Sequence, residues 1–182
     1  GLESLRVSAP FVLAMLPNIE EITVENTGEK FRYMREGKCG LENATVSEIE
    51  VEQQGHPCNK YVLGMTDDNV SIYMALEHMD GNMKIIPFSE NQSKLFCDFP
   101  LIGTDDFPFP VLISSPDFNP TEPRDGVFLT CKNTVRIDEE IEVNRSIIEK
   151  ACGLYEHLLE YVAKKKWDGI YNITKVNAYS TK

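Results

Sequence analysis

Thr45–Phe88 reads TVSEIEVEQQGHPCNKYVLGMTDDNVSIYMALEHMDGNMKIIPF, and the alternation of apolar and polar residues within it decides the fold. In TVSEIEVEQ, Val46, Ile49 and Val51 are the inward positions, with the alternation slipping by one between Val46 and Ile49. KYVLGMT and NVSIYMALEH follow as two more strands, parted by a tight turn at Asp67, Asp68 and Asn69. Asp80 to Asn82 (DGN) then returns the chain into MKIIPF. Upstream, EEITVEN and KFRYMRE alternate around ENTGEK, where Thr27 and Gly28 supply the reversal of a hairpin. Successive strands joined by short polar turns make an antiparallel meander, apolar on one face and polar on the other.

The apolar face must be buried on something. From about Asn144 to Trp167, apolar residues recur at three- and four-residue spacing: Ile147, Ala151, Leu154, Leu158 and Val162, with Ile148, Tyr155 and Leu159 beside them. Asn144 reads as the N-cap, the acidic DEEIE before it suits the positive end of the helix dipole, and Lys164 to Lys166 suit the negative end before Asp168 and Gly169 stop the helix. Pro10 to Leu16 (PFVLAML) is a short buried helical turn or a strand lead-in ended by Pro17. The tail IYNITKVNAYSTK is one more strand or a frayed end. The expected fold is therefore α+β, a mainly antiparallel meander sheet packed against a long C-terminal helix. Residues 1–135 form the sheet-rich core, and 136–182 a helical arm with its tail.

At 182 residues the chain has material for one sizeable core with an extension. It starts on Gly, carries no signal peptide and has no apolar run long enough to span a bilayer, which suggests a soluble piece of a longer protein. The formal charge of −11 argues against nucleic-acid or anionic-membrane partners, since phosphate neutralisation needs clustered Lys and Arg. Cys39, Cys58, Cys97, Cys131 and Cys152 are odd in number and widely spaced, a pattern of reduced thiols in a cytoplasmic protein.

Lys94–Thr130, KLFCDFPLIGTDDFPFPVLISSPDFNPTEPRDGVFLT, holds six of the ten prolines. Two β-prone runs, LFCDF and FPFPVLI, frame the loop SPDFNPTEPRDG, whose Pro and Gly spacing forbids continuous helix or strand. Arg124 is the only basic residue of that loop. It is either part of an ordinary turn, Pro123–Gly126, with Asp125 as a local partner, or a planar cation presented to a phosphate or carboxylate on another domain.

Other chemistry is sparse. His56, His78 and His157 are far apart and outside any HExxH pattern; His56 and Cys58, with Cys39 upstream, could begin a zinc site or be a surface histidine beside an ordinary thiol. Asp67 with Asp68, and Asp105 with Asp106, are carboxylate pairs that serve acid and base roles only where their environments differ, and are otherwise solvated turn residues. GxSxG, Walker A and GxGxxG motifs are all missing. Phe96, Phe99, Phe107, Phe109 and Phe118 read as the core and lip of a sheet, or else as a ligand cradle.

The run from Leu95 to Leu129, with VSIYMALE and PFVLAML before it, resembles the segment that follows the nucleotide-binding domain in large bacterial ATPases of the GHKL superfamily, and is similar to sacsin and the ninety-kilodalton heat-shock chaperones. The strands Phe96–Leu101 and Phe109–Ile113 and the loop through Arg124 carry the likeness. The resemblance implies a middle, or transducer, domain: α+β, not itself catalytic, and lacking the N-box, DxGxG loop and glycine-rich lid through which that superfamily binds ATP. No cofactor is then expected in this segment, with ATP and Mg held by the preceding domain of a full-length ATPase. The resemblance further implies that Arg124 reaches the γ-phosphate there, and that partners are that domain and a client protein or a second copy of the chain. Two other classes stay open: a free-standing interaction module using the apolar lip near Phe107, Phe109 and Phe118, and a hydrolase with a carboxylate or Cys/His site.

Overall fold

The computed structural model describes residues 2–79, 82–130 and 138–174. The alternating segments are strands: β1 (Glu21–Val24), β2 (Glu29–Lys38), β3 (Ala44–Gln53), β4 (His56–Asp67), β5 (Val70–Met79) and β6 (Asn82–Ile85). Each pairs antiparallel with the next. Gly28, at φ 69°, completes the first turn, and the β4–β5 connection is the two residues Asp68 and Asn69, with Asp68 at φ 49°. Of the DGN turn, Asp80 and Gly81 lie outside the described residues.

Two helices flank this sheet. α1 (Leu2–Met15) covers one face and α2 (Asp138–Lys165) the other. The fold is α+β, a mostly antiparallel sheet with a long C-terminal helix, but both sheet faces are apolar rather than one. β3 shows why. Its register against β4 runs unbroken from Ala44 to Gln53, so Val46 and Ile49, three apart, point to opposite faces. Val46 joins the cluster of Leu63, Met65, Ile72 and Leu76 under Ile147, Ala151, Leu158 and Val162 of α2. Ile49 and Val51 join Phe31 under Ala9 and Leu13 of α1. The apparent slip is the change from one covered face to the other. The true irregularity is a bulge in β2, between Tyr33 and Arg35.

PFVLAML is thus the second half of a helix and not a lone turn, with Pro10 inside α1. The hydrogen bond that Pro10 cannot donate is offset by packing: Ala9, Phe11, Val12 and Leu13 are all buried. Toward the helix start, Arg6 forms an ion pair with Glu29 of β2, a carboxylate only 3% exposed.

α2 begins at Asp138, six residues before the expected cap, so DEEIE is its first turn and Asn144 lies within it, fully buried. It ends through Lys166 at φ 56°, with Trp167 N–H donating to Val162 O at 3.3 Å, ahead of the Gly169 expected to stop it. The tail turns into a short 3₁₀ helix, Ile170–Ile173, with Tyr155 Oη donating to Ile173 O at 2.5 Å. Residues 175–182 lie outside the described part. No described helix is long and apolar enough to cross a membrane.

The proline-rich stretch extends the sheet past β5. β7 (Leu95–Cys97), β8 (Phe99–Pro100) and β9 (Leu112–Ser114) are short; β9 pairs antiparallel with β5 and parallel with β7, which turns back on β8. The turns around β7 and β8, together with the segment that follows β9, build the corner that carries Arg124.

Candidate functional site

Arg124 stands on a small hairpin closed by the Pro120–Val127 bridge. Inside it Thr121 N–H donates to Gly126 O at 2.8 Å, and Thr121 Oγ1 donates to the Asp125 carboxylate at 2.5 Å. Asp125 is therefore tied to Thr121, not to Arg124 as local turn chemistry had suggested. Arg124 itself is at φ 70°, a left-handed conformation that costs a non-glycine residue on the order of 1 kcal/mol, and follows a cis Glu122–Pro123 peptide.

Both shoulders of the hairpin are fixed from below by one side chain. Asn144 Oδ1 accepts from Asn119 N–H at 2.8 Å, while Asn144 Nδ2 donates to Asn119 O at 3.0 Å and Phe128 O at 3.1 Å. Arg145 adds a bond from Nε to Leu129 O at 2.8 Å. A buried amide satisfied on both its ends anchors the loop to α2.

The guanidinium is exposed and folds over the β7–β8 turn, where Nη2 donates to Cys97 O at 3.1 Å. Among the described residues that is its one hydrogen bond, and no carboxylate forms an ion pair with it. The neighbouring turn closes against the hairpin: a Cβ on Gly103, at φ 102°, would meet Asp125 Cβ at 3.5 Å. That turn exposes two large apolar side chains, Phe99 at 55% and Ile102 at 56%. The same two loops carry Asp98, Glu122 and Asp125, all exposed, so the corner is net negative despite its arginine.

The other sequence candidates disperse. Cys39 follows the end of β2 beside Thr45, while His56 and Cys58 begin β4 opposite Gln53 and Val51; the separation along β3 is about 25 Å. Among the described residues no three His, Cys, Asp or Glu side chains gather as a metal site. His78 and His157 are exposed on β5 and α2, and the described cysteines Cys39, Cys58, Cys97 and Cys152 are free thiols, with Cys131 outside the described residues. Asp67 and Asp68 are spent on Lys150 of α2, whose Nζ lies 3.2 Å and 2.6 Å from their carboxylates. The hydrogen bond from Lys150 holds Asp68 below its usual carboxylate range, and the same bond raises Lys150. Asp105 and Asp106 are exposed loop residues.

The aromatics divide. Phe96 and Phe118 are buried and Phe107 and Phe109 half-buried against the core, so the exposed apolar surface is at Phe99 and Ile102 rather than at the expected lip. The sequence held no signal for this, because exposure in an irregular loop follows no period. Asn144 was visible in sequence only as a cap; its role in holding the loop depends on partners 16 and 25 residues away. No protein-family model, curated protein or solved structure matches this chain.

Proposed function

We propose that this chain is a middle, transducer-like domain that offers Arg124 to the phosphate of a nucleotide held by another domain of the same polypeptide, as its resemblance to GHKL-superfamily ATPases implies. The observation that carries the reading is the mounting of Arg124: a strained residue on a hairpin pinned at both shoulders by Asn144, its guanidinium tethered by a single bond to Cys97 O. Strain of this kind persists where the surroundings over-determine it, and it clusters at functional positions. A guanidinium with donors left over can engage phosphate oxygens in a planar, bidentate way.

The electrostatics favour half a site over a whole one. With Asp98, Glu122 and Asp125 on the same loops, the corner will not draw a free polyphosphate from solution. Arg124 becomes useful only where a nucleotide, with its Mg, is already fixed by other residues and brought to it. Phe99 and Ile102 supply an apolar contact beside the arginine for the domain that does so. A cytoplasmic ATPase that couples nucleotide state to a client protein or a second copy of itself fits this division of labour.

The test is made in the full-length protein. Arg124→Ala should lower ATP turnover by about tenfold or more while nucleotide affinity stays nearly constant, since the arginine would act on charge that develops during transfer. Unchanged turnover overturns the reading. Loss of domain association in Phe99→Ser with turnover unaffected by Arg124→Ala would support an interaction module instead.

A further inference from the structure

Lys94 immediately precedes β7, and its half-buried side chain lines a cleft beside that strand. Its main chain is anchored on both sides: the N–H donates to Thr104 Oγ1 at 3.1 Å and the carbonyl accepts from Ile113 N–H at 2.8 Å. The side chain enters a cleft of about 210 Å³ walled by Pro87, Phe88, Phe107, Phe109 and Pro110, and Nζ sits 3.8 Å from the centre of the Phe88 ring. Phe109 is braced edge-on by Tyr155 of α2, ring centres 5.5 Å apart, so this wall belongs to the core and not to a loose loop.

Burial alone lowers the Lys94 amine from its ordinary 10.5 to about 8. Among the described residues no carboxylate comes within ion-pair distance of Nζ. A lysine that is merely structural keeps its ammonium in water and buries only its stem. Here the residue is half-buried and its ammonium sits over the face of Phe88 inside the cleft.

We propose that this cleft binds a small aryl monocarboxylate, with the ring among Phe88, Phe107 and Phe109 and the carboxylate on Lys94 Nζ. Size, charge and donor count each point that way. A cavity of about 150 Å³ takes a benzene ring, so this one has room for a ring and one carboxylate. One ammonium balances one negative charge. A phosphate or sulfate would need several donors, and the walls supply few: prolines at 87, 108 and 110 have no N–H, and Asn172 gives one of its two amide N–H groups to Ile85 O at 2.8 Å.

Phenylacetate and its neutral counterpart 2-phenylethanol, titrated into the chain near neutral pH and followed by NMR, test this. Phenylacetate should bind saturably with shifts at the Phe88, Phe107 and Phe109 rings, and 2-phenylethanol about tenfold or more weaker, the factor a charge-assisted contact supplies. Lys94→Met, which keeps the stem and its contact with Phe88, should weaken phenylacetate by a similar factor and leave 2-phenylethanol no weaker. Absence of saturable phenylacetate binding, equal affinity for acid and alcohol, or full retention of phenylacetate by Lys94→Met would each overturn the proposal.

Discussion

Asn144 and Asn119 hold one another through both halves of an amide: the main-chain N–H of Asn119 donates to Asn144 Oδ1 at 2.8 Å, and Asn144 Nδ2 returns a bond to Asn119 O at 3.0 Å. A second bond from Nδ2 to Phe128 O at 3.1 Å brings the far shoulder of the Arg124 hairpin to the same point. One buried side chain on α2 thereby closes an otherwise exposed loop.

Asn144→Ala should cost about 1–3 kcal/mol, because it removes a fully buried amide and leaves partly buried main-chain groups of Asn119 and Phe128 without that partner. Asn144→Asp should cost more at neutral pH, since it keeps the acceptor for Asn119 N–H but sets a carboxylate against two carbonyl oxygens, and the gap between the two variants should narrow in acid as that carboxylate takes a proton. Urea midpoints at two pH values check the order. Hydrogen exchange at Arg124 N–H should speed up in both variants, since that amide is protected by a bond to Thr121 O inside the same hairpin.

Gly64 of β4 lies beneath the Tyr73 ring of β5. A Cβ at Gly64 would come within 2.5 Å of Tyr73 Cε1, and its φ is not one that demands glycine, so the requirement is for space alone. Gly64→Ala should destabilise by about 1–3 kcal/mol. In a Tyr73→Val background most of that loss should disappear, and a double-mutant cycle by chemical denaturation measures the coupling.

The strands were legible because alternation and turn chemistry agree locally: Asp68–Asn69 sits between two apolar runs, and the stripe from Ile147 to Val162 has the period of a helix. What was hidden depends on contacts distant in sequence. Val46 and Ile49 looked like a slip only under the assumption of one covered face; the second cover, α1, was masked by Pro10, a residue that argues against helix, and by the polar Glu3, Arg6 and Ser8 of its first half. Asn144 has the chemistry of a cap, so local reasoning placed a helix end where tertiary hydrogen bonds placed an anchor. The left-handed backbone of Arg124 falls on a residue type that seldom adopts it, and the apolar corner at Phe99 and Ile102 has no period to betray it. The partial burial of Lys94 depends on where Phe88, Phe107 and Phe109 converge, which composition does not encode.

Glu29 joins α1 to the sheet. Arg6 Nη2 donates to it at 2.6 Å, Gln53 Nε2 at 2.7 Å and Thr27 Oγ1 at 3.0 Å. The hydrogen bond from Arg6 is the main reason its carboxyl sits below the ordinary 4.5. A carboxylate with a lowered native pKa contributes stability that is present above its unfolded pKa and lost as pH falls through the native one. Glu29→Gln should therefore be about 2 kcal/mol less stable than wild type near neutrality. That difference should shrink below about pH 4.5 as the wild-type carboxylate is protonated. Denaturation midpoints of both proteins across an acid series give the comparison, and a difference constant with pH would show that the ion pair does not hold the helix.

Lys94 works in the opposite direction. Its native pKa, about 8, lies below the ordinary 10.5, so between those values the unfolded chain binds more protons than the folded one and stability from this group rises with pH. Below about 8 the penalty for the buried ammonium is present in full; above 10.5 it is gone. Lys94→Met removes the charge, keeps an unbranched stem and sets a thioether against Phe88, so it should stabilise the fold by about 2 kcal/mol at neutral pH. The gain should fade toward pH 10.5, where the wild-type amine is neutral in both states. Urea midpoints of the two proteins at neutral and alkaline pH decide the matter. A variant no more stable than wild type at neutral pH would mean that the ammonium reaches water in the folded chain. A lysine kept where methionine would be more stable is what a binding residue looks like, since stability given up at one position is commonly the cost of function there.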